Sequence, residues 1–521
     1  MDIIISERDG IVTERLRAGE EYCLKFTFPI RDIQCYWHPA LRTPSQKLHW
    51  RISFQSSAVC HFPFLSFFNT EGINRLAVMF RSVEDECDFF FHMNQGAGVY
   101  EAEIRITPVS DTLFSADTRE KDWQEILEDY RATLELPPVR KVKGAWDPVY
   151  CTWYAFHTGV SEEILEKNCA IASDLGFRTL LVDDGWSFDT VKRHSPELIP
   201  TWYSEIGEWQ VSQAKFPDFT EHVRKIHALG MKYMLWTAPQ IIGIGSPLLK
   251  QLQACDLDEK PEAGARWLLP VREEVQQQII EKFLHLVREY GIDGLKIDYL
   301  DYFQPDPQAP KGRMIRDFAR RISEALRADN PEILIEYRQN YTVPGMLPFA
   351  TQYRALDVPY DWLDNFLRLC QMRTMLGDGL PLHADPAFWR PDEPLHNIGR
   401  HMIAALAGVP MISMELTTLP ELHLAVIRQY LDLYRNYPEF LQSGKWRVGY
   451  ELGNVVSLTA EYGEKSLQFI NSRYVPVSAD AELVFNLSSA DLPGEGLRCF
   501  DAVGHTVANR IPAGGFGVSS Q

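Results

Sequence analysis

Residues 151–186, CTWYAFHTGVSEEILEKNCAIASDLGFRTLLVDDGW, decide the fold of this 521-residue chain. The apolar run VYCTWY (149–154) precedes a segment whose apolar residues recur at helical spacing, and a second apolar run, TLLVDD (179–184), follows that segment. Two short buried strands joined by an amphipathic helix form a βαβ unit, in which the strands lie parallel. The stretch therefore predicts a parallel sheet with helices packed on it.

The same alternation of apolar runs and amphipathic segments continues along the chain. Further apolar runs occupy 232–239, 294–300, 333–338, 353–358, 381–387 and 411–416. Eight strands over about 290 residues is the number and the size of a (β/α)8 barrel. Polar residues follow most of the runs, whereas an open doubly wound sheet would gather its ligand groups at one crevice. We therefore predict an α/β fold with a closed barrel whose mouth collects these polar residues.

Both flanks of the barrel have a different pattern. Residues 1–125 carry short alternating or aromatic runs such as YCLKFTF and LHWRISF, which predict an N-terminal β-sandwich. Residues 126–145 predict a linker helix, since their apolar residues recur at helical spacing before a Pro-Pro break. The barrel then spans 146–438, and the runs of 439–521, punctuated by glycines, predict a small C-terminal β-sandwich.

Composition and missing motifs restrict the ligand classes. Asp and Glu number 71 against 52 Lys and Arg, and a net charge of -19 disfavours nucleic acid and anionic membranes as partners. The nine cysteines are scattered without CxxC spacing, and GxGxxG, P-loop, HExxH and GxSxG motifs are missing, so we expect neither a metal nor a cofactor. The start MDIIISERDG has no signal-peptide pattern, and a cytoplasmic location is expected. Self-association is compatible with such a chain.

Two carboxylates at predicted strand ends suit glycoside hydrolysis, which with retention needs a nucleophile and an acid/base roughly 5 Å apart. Asp298 follows a buried run, and Lys296 two residues earlier faces the same side of the strand, where its charge keeps a carboxylate ionised. The alternative for this pair is a structural ion pair. Asp357 lies at the end of the sixth run, three residues after Arg354, and suits an acid/base, although Asp357 and Asp361 could instead cap the next helix.

The acidic doublet Asp183–Asp184 ends the second run, where paired carboxylates can hold sugar hydroxyls, bind a metal or cap a turn. Aromatic side chains near the strand ends would provide a surface for the apolar face of a sugar. They are Trp153, Tyr154, Trp186 and Trp236. Each of them could equally belong to the core. The combination favours a carbohydrate site over a metal site.

Three segments together resemble the α-galactosidase (melibiase) clan of retaining glycoside hydrolases, in particular the family of bacterial α-galactosidases and raffinose-type enzymes. They are 151–186, GEWQVSQAKFPDF (207–219) and GLKIDYL (294–300). The resemblance implies a sandwich–barrel–sandwich order and hydrolysis of a small α-glycoside or oligosaccharide. It implies these roles: Asp298 as nucleophile, Asp357 as acid/base, Asp183 and Asp184 as hydroxyl ligands, Lys296 as a sugar contact, and Trp153 and Trp236 as pocket walls.

The fifth strand departs from the family pattern. Many relatives have a Gly-rich turn with Cys or Ser there, whereas this chain has EYRQNYTVPGM, with Arg338 at the strand end. A bulky cation in that place raises the hypothesis of a modified or acidic sugar.

The sequence thus predicts an exo-acting retaining α-galactosidase, with Tyr154, Arg338, Arg354 and Asp361 as further substrate contacts. The alternatives are a transglycosidase, a non-catalytic carbohydrate-binding protein, and a metal-assisted lyase or isomerase with Lys296 as base.

Overall fold

The computed structural model describes residues 1–5, 10–41, 45–258 and 262–520. Its N-terminal part consists of two antiparallel sheets, ordered β1-β10-β7-β6-β3-β4 and β2-β9-β8-β5. The strands are β1 (Ile11–Leu16), β2 (Tyr22–Pro29), β3 (Cys35–Trp37), β4 (Gln46–Lys47), β5 (Arg51–Ser56), β6 (Phe64–Phe68), β7 (Asn74–Phe80), β8 (Cys87–Asn94), β9 (Val99–Ile106) and β10 (Thr112–Asp117).

An aromatic core joins these two sheets. Phe26 and Phe28 alternate on β2 with exposed residues, and their rings contact Phe114 and Phe67 of the other sheet at centroid distances of 6.1 and 4.9 Å. Period-two alternation thus places one face of each sheet in the core. We refer to this pair of sheets as the N-terminal sandwich. Helix α1 (Trp123–Thr133) follows it, with its first turn capped by the Asp122 side chain.

Eight parallel strands form the barrel, in the order β19-β18-β17-β16-β13-β12-β11-β20. They are β11 (Val149–Cys151), β12 (Thr179–Val182), β13 (Lys232–Thr237), β16 (Gly294–Ile297), β17 (Leu334–Arg338), β18 (Gln352–Arg354), β19 (Leu382–His383) and β20 (Met411–Ile412). The seam between β19 and β20 is closed by two parallel bridges, His383–Val409 and Ala387–Ile412. The predicted (β/α)8 fold is therefore confirmed. A hairpin of β14 (Ile241–Gly243) and β15 (Ala265–Trp267) lies outside the barrel.

Helices surround the barrel and connect it to the last part of the chain. They are α2 (Trp153–Phe156), α3 (Glu162–Leu175), α4 (Phe219–Ala228), α5 (Glu273–Tyr290), α6 (Lys311–Asp329), α7 (Trp362–Leu376), α8 (Leu395–Leu406), α9 (Glu421–Asn436) and α10 (Pro438–Ser443). On α5 the buried residues recur at helical spacing, as Val275, Ile279 and Phe283 do. Within the described ranges no helix is both long enough and apolar enough to cross a membrane.

The barrel strands are shorter than the apolar runs that predicted them. The first run was expected to be a strand over 149–154, but β11 ends at Cys151 and Trp153 and Tyr154 lie on the one-turn helix α2. Likewise, the run 353–358 was expected to be a strand, but β18 ends at Arg354, so that Asp357 lies three residues beyond it. The predicted strand bounds were wrong here, because apolar side chains also pack in the turns that leave the strands.

The C-terminal part is built on a seven-stranded sheet, ordered β21-β22-β23-β24-β29-β26-β27, with a two-stranded ribbon of β25 and β28. The strands are β21 (Lys445–Glu451), β22 (Asn454–Tyr462), β23 (Lys465–Ile470), β24 (Ala481–Asn486), β25 (Leu492–Pro493), β26 (Leu497–Phe500), β27 (Thr506–Val507), β28 (Arg510–Ile511) and β29 (Phe516–Ser519). The guanidinium of Arg373 on α7 lies 3.4 Å from the ring centroid of Trp446 on β21. The sheet is thereby held against the barrel.

Candidate active site

Lys296 joins two carboxylates at the carboxyl ends of β12 and β16, two barrel strands that are separated by β13. Its Nζ lies 2.7 Å from Oδ2 of Asp183 and 3.5 Å from Oδ2 of Asp298. The backbone N–H of Asp183 is held by Oγ1 of Thr152 at 2.9 Å. Burial and the charge of Arg354 lower the pKa of Lys296. The two carboxylates outweigh them and hold this pKa above its ordinary value. The pair predicted from the Lys-x-Asp spacing is thus part of a three-residue ion cluster.

Asp298 is buried among donors on both of its oxygens. The Trp236 indole N–H donates to Oδ2 at 2.9 Å, and the Tyr299 backbone N–H donates to Oδ1 at 2.7 Å. The guanidinium of Arg338 also donates to Oδ1. Burial would raise the pKa of Asp298, but the charges of Arg338 and Lys296 outweigh burial and hold it well below its usual range. Asp298 is therefore ionised.

Arg338 reaches Asp298 because of the strand register. Lys296 of β16 pairs with Glu336 of β17, so two residues further on Asp298 comes beside Arg338. The guanidinium lies 4.8 Å from the ring centroid of Tyr299 and donates from its Nη1 to the Gln339 carbonyl at 3.2 Å. The bulky cation predicted for this position is thus placed against the candidate nucleophile, a contact that sequence reasoning missed.

Asp357 lies at the rim of the mouth, with 46% of its side chain exposed. Its Oδ1 accepts from Nη2 of Arg354 at 2.8 Å, and Arg354 itself is buried. Burial tends to raise the pKa of Asp357, yet Arg354, Arg338 and Lys296 together lower it. Asp298 acts in the opposite direction, so the two carboxylates are close enough to affect each other. The mouth therefore presents one solvent-accessible carboxyl group near a buried one.

Asp385 is a site residue that the sequence analysis did not assign. It pairs with Arg354 and accepts from the Tyr154 hydroxyl at 2.7 Å and the Val358 backbone N–H at 2.8 Å. It thereby orients Arg354 toward Asp357. The sequence signal was its position near the end of the predicted strand run 381–387, a position like that of the residues that were chosen. Tyr154, predicted to contact substrate, has its hydroxyl committed to this carboxylate.

Asp184 points to the opposite side of the doublet from Asp183. Its Oδ2 accepts from the Trp202 indole N–H at 3.2 Å, and the Trp202 ring lies edge-on to Trp153 at a centroid distance of 5.9 Å. Burial, with a contribution from Asp183, raises the pKa of Asp184 to about 7. Trp202 belongs to a long loop without periodic pattern, so the sequence held no signal for it.

Lys215, in the quoted Lys-Phe-Pro segment, holds the turn that carries this doublet. Its Nζ donates to the carbonyls of Gly185 at 2.7 Å, Thr158 at 2.9 Å and Thr190 at 3.0 Å. A buried ammonium that satisfies three carbonyls fixes the loops that supply them. The conformation of the acidic doublet thus depends on a residue 31 positions after Asp184.

Two residues that were predicted to contact the sugar have other roles in the structure. Asp361 is the N-cap of α7, with its side chain accepting from the Asp364 backbone N–H at 2.9 Å, which is the capping alternative considered above. Trp186 is fully buried and donates to the Trp236 carbonyl at 2.9 Å, so the prediction that it offers a sugar-facing surface was wrong. Trp236 is likewise buried, and its contact to the site is the hydrogen bond to Asp298.

Asp183 and Asp298, which the metal-assisted alternative would use as ligands, are already paired with Lys296. The Lys296 ammonium lies between Asp183 and Asp298, where a shared cation would have to bind. Across the ranges that the structure describes, no group of three or more His, Cys, Asp or Glu residues is arranged to hold a metal ion. This arrangement favours acid/base and nucleophilic chemistry by the carboxylates themselves.

Parallel barrels carry their active sites at this mouth, and retaining glycoside hydrolases use a pair of carboxyl groups there. Residues 140–314 match the family model described as Melibiase. The chain is 27% identical over 152 residues to α-galactosidase 1 of Pediococcus pentosaceus, which covers 28% of this chain and 20% of that protein. It is 22% identical over 322 residues to α-galactosidase AgaA of Geobacillus stearothermophilus, covering 56% of this chain and 41% of the relative.

The fold comparison agrees with these matches. The structure of an AgaA variant from G. stearothermophilus in complex with raffinose superposes with a TM-score of 0.68 at 14% identity, over 98% of this chain and 79% of that one. The sequence matches span a fifth to two-fifths of the lengths of the two curated relatives described above. The resemblance to the α-galactosidase (melibiase) family that the motifs indicate is therefore confirmed.

Proposed function

We propose that the chain is a retaining, exo-acting α-galactosidase that hydrolyses a terminal α-linked sugar by double displacement. The observation that carries the proposal is the pairing of a buried, ionised Asp298 with a partly exposed Asp357 at one barrel mouth. Retaining glycosidases need this difference between their two carboxyl groups, since one attacks and the other exchanges a proton with the leaving oxygen. The confirmed family resemblance supports the same reaction class.

The proposed cycle has two steps. An oxygen of Asp298 attacks the anomeric carbon while protonated Asp357 donates its proton to the departing glycosidic oxygen. Asp357, now a carboxylate, then takes a proton from water, and the resulting hydroxide oxygen displaces Asp298 from the anomeric carbon. Water and the glycoside thus yield the free sugar and the leaving alcohol. Capture of the intermediate by a sugar hydroxyl would give the transglycosidase alternative.

The surrounding residues are assigned to sugar binding. Asp183 and Asp184 would accept hydrogen bonds from sugar hydroxyls, and Lys296 would donate to one of them. Trp153 is half-buried beside Trp202, in a position to cover the apolar face of a pyranose ring. Because all of these groups except Trp153 are buried, the site favours a single terminal sugar unit.

The test is release of nitrophenol from aryl α-glycosides by the purified chain. The panel comprises the galactoside, glucoside, N-acetylgalactosaminide and glucuronide, and the variants are Asp298→Asn, Asp357→Asn and Asp361→Asn. We expect turnover of the galactoside, loss of at least about 1000-fold in Asp298→Asn, and little change in Asp361→Asn, because asparagine caps a helix N-terminus about as well as aspartate. Turnover that survives in Asp298→Asn would refute the assignment of the nucleophile.

The stereochemistry is tested separately with azide as an external nucleophile. In Asp357→Asn, azide should intercept the glycosyl-enzyme and give the α-glycosyl azide, because two inversions retain the configuration. Azide should also restore turnover of a substrate with a good leaving group. A β-glycosyl azide from this variant would contradict the role of Asp357 as acid/base.

Arg338 favours a second candidate, an α-glycosidase for a modified or acidic sugar. Its guanidinium lies in the candidate pocket, where a planar cation could bind a carboxylate of the sugar. Arg338→Ala should then shift the preference from acidic toward neutral glycosides. An unchanged ratio of kcat/KM between glucuronide and galactoside would refute this candidate and leave the first one standing.

A further inference from the structure

A groove of about 1330 Å³ runs along the N-terminal sandwich next to the barrel mouth. One wall is the outer face of β5, β8 and β9, and the other is the loop that follows β16, with Asp301, Phe303, Gln304 and Pro305. Small-molecule sites commonly measure ~300–1000 Å³, so the groove exceeds what one sugar unit needs. Its size suits a chain of several units.

The loop that follows β16 belongs both to the groove and to the candidate active site, since it begins at Asp298 and carries Asp301. Asp301 lies three residues after Asp298 and lines the groove. Its Oδ2 accepts from the Asn340 amide at 3.4 Å, and Asn340 is the second residue after Arg338. A ligand with one end at the barrel mouth could therefore extend its other end into the groove.

The lining of the groove has the chemistry of a neutral saccharide site. Phe90, on β8, is 42% exposed in the midst of polar side chains on the outer face of the sheet. Its cross-strand neighbours are Ser53 and Glu103. Aromatic faces bury the C–H face of a pyranose, while short polar groups around them bind hydroxyls.

The charges in the groove largely compensate one another. Two cations, Arg51 and Arg105, stand against the carboxylates of Asp88, Glu103 and Asp301 in the lining. Arg105 pairs with Glu103 at 2.5 Å. A lining with both signs present in this balance gives little attraction for a polyanion. A neutral ligand is therefore favoured over an acidic one.

Three buried polar atoms in the lining have no hydrogen-bond partner in the part of the chain that the structure describes. They are Nδ1 of His38, Oγ of Ser56 and Oδ1 of Asp301. His38 is only 5% exposed and stacks on Phe54 at a centroid distance of 4.3 Å, so its ring is held rigidly. Burial lowers the pKa of His38 to about 3, which keeps the imidazole neutral. Sugar hydroxyls both donate and accept, and could satisfy atoms of this kind.

We propose that this groove binds the leaving-group end of an oligosaccharide whose terminal α-linked sugar occupies the barrel mouth. The inference rests on the proposed function for the position of the terminal sugar. The groove itself adds a contact surface from the N-terminal sandwich, so the chain discriminates long substrates from short ones.

The first experiment compares two substrates of different length. Under this proposal an aryl α-galactoside is too short to enter the groove, whereas the tetrasaccharide stachyose is long enough. In the double variant Phe90→Ala/Gln304→Ala, we expect KM for stachyose to rise roughly five- to tenfold with little change for the aryl galactoside. The matched control is Tyr474→Ala, a 75% exposed aromatic residue distant in sequence from both the groove and the barrel strands. Equal effects of the double variant on both substrates would overturn the proposal.

A binding measurement separates this proposal from the catalytic one. Titration calorimetry with stachyose on Asp298→Asn, with and without Phe90→Ala/Gln304→Ala, requires no turnover. At least a fivefold weaker affinity in the presence of the groove substitutions supports the groove even if no α-glycoside is hydrolysed. Equal affinities, or an absence of binding by Asp298→Asn itself, would overturn it.

Discussion

At the scale of single residues, the charge of Asp298 is set by its neighbours. Arg338 and Lys296 supply two positive charges, and the Trp236 and Tyr299 N–H groups add hydrogen bonds to the same carboxylate. Such donors stabilise an anion before attack and again when it is released from the glycosyl-enzyme. They also reduce its intrinsic basicity. Asp298 is thus suited to be a nucleophile and a leaving group rather than a proton acceptor.

The first prediction concerns the acid side of the pH profile. Replacing Arg338 by Gln removes the largest charge that lowers the pKa of Asp298, so this pKa should rise by about one to three units. Because only ionised Asp298 can attack in the proposed mechanism, kcat/KM in the variant should fall as the pH drops through the raised pKa. The wild type should show no such loss at the same pH. The profile of aryl galactoside hydrolysis from pH 3 to 8 measures this.

Arg313→Gln, at an exposed position of α6, is the matched control and should keep the wild-type profile. An acid limb at the same pH in Arg338→Gln and wild type would show that Arg338 does not control the ionisation of Asp298.

The second prediction concerns the basic limb of the pH profile of kcat/KM. Arg354 contacts both Asp385 and Asp357. In Asp385→Asn, Arg354 would face Asp357 with less of its charge compensated, and the pKa of Asp357, already lowered, should fall further. Since the acid must be protonated to act, the basic limb of kcat/KM should move about one unit to lower pH.

Asp364→Asn serves as the control here, because Asp364 pairs with Arg368 on α7. A basic limb that stays in place or moves to higher pH in Asp385→Asn would mean that Asp385 has only a structural role. Measuring kcat and KM separately would show whether the shift belongs to the free enzyme.

At the scale of elements, the strands and the residues within one strand were predictable. The eight apolar runs correspond to the eight barrel strands, and period-two alternation placed Lys296 and Asp298 on one side. Contacts between strands depend on register, which a single sequence does not specify. The Arg338–Asp298 pair therefore could not be predicted. The Trp202–Asp184 contact could not be predicted for another reason, because Trp202 lies in a long loop whose sequence has no periodicity.

The third prediction tests the turn that carries the acidic doublet. Gly185 has φ +110°, and a Cβ there would lie 2.4 Å from the Thr158 Cα, so the backbone must shift. Gly185→Ala should cost about 3 kcal/mol of unfolding free energy through clash and backbone strain. Because the shift displaces Asp183 and Asp184, kcat/KM should fall at least tenfold. Thermal unfolding and aryl galactoside kinetics measure the two effects.

The Gly230→Ala variant shows how much of the loss in Gly185→Ala comes from backbone strain and how much from the steric clash with Thr158. Its φ is +74°, but a Cβ would meet nothing within 4 Å. It should therefore cost only about 1 to 2 kcal/mol for a left-handed alanine, with unchanged kinetics. Equal losses of activity in the two variants would mean that the close packing of Gly185 on Thr158 does not position the doublet.

At the scale of the whole molecule, the N-terminal sandwich holds the barrel element that follows Asp298. Glu86, in the turn before β8, accepts through Oε1 from the Gly312 backbone N–H at 2.8 Å, in the first turn of α6. Its other oxygen accepts from the Asp306 backbone N–H, in the loop between β16 and α6. A carboxylate at a helix N-terminus satisfies free N–H groups and favours the helix dipole. The same loop forms one wall of the proposed saccharide groove.

The last prediction follows from the burial of Glu86, which raises its pKa to about 7 despite the two N–H donors. Between about pH 4.5 and pH 7 the folded chain holds a proton that the unfolded chain has lost. The contribution of Glu86 to the unfolding free energy is therefore fully present below pH 4.5 and is lost as the pH rises through 7. Glu86→Gln removes the titration, so between pH 5 and pH 8 the wild type should lose about 2 kcal/mol more unfolding free energy than the variant.

Calorimetric unfolding temperatures at the two pH values measure this difference, with Glu101→Gln as control, since Glu101 is exposed on β9 and bonds to the neutral Asn94 side chain. The unfolding temperature of Glu86→Gln relative to wild type should rise by a few degrees from pH 5 to pH 8, and that of Glu101→Gln should not. If the offset between Glu86→Gln and wild type is the same at both pH values, Glu86 stays ionised across the range. The link between sandwich and barrel would then be a permanent charge-assisted cap rather than one that weakens as the pH rises.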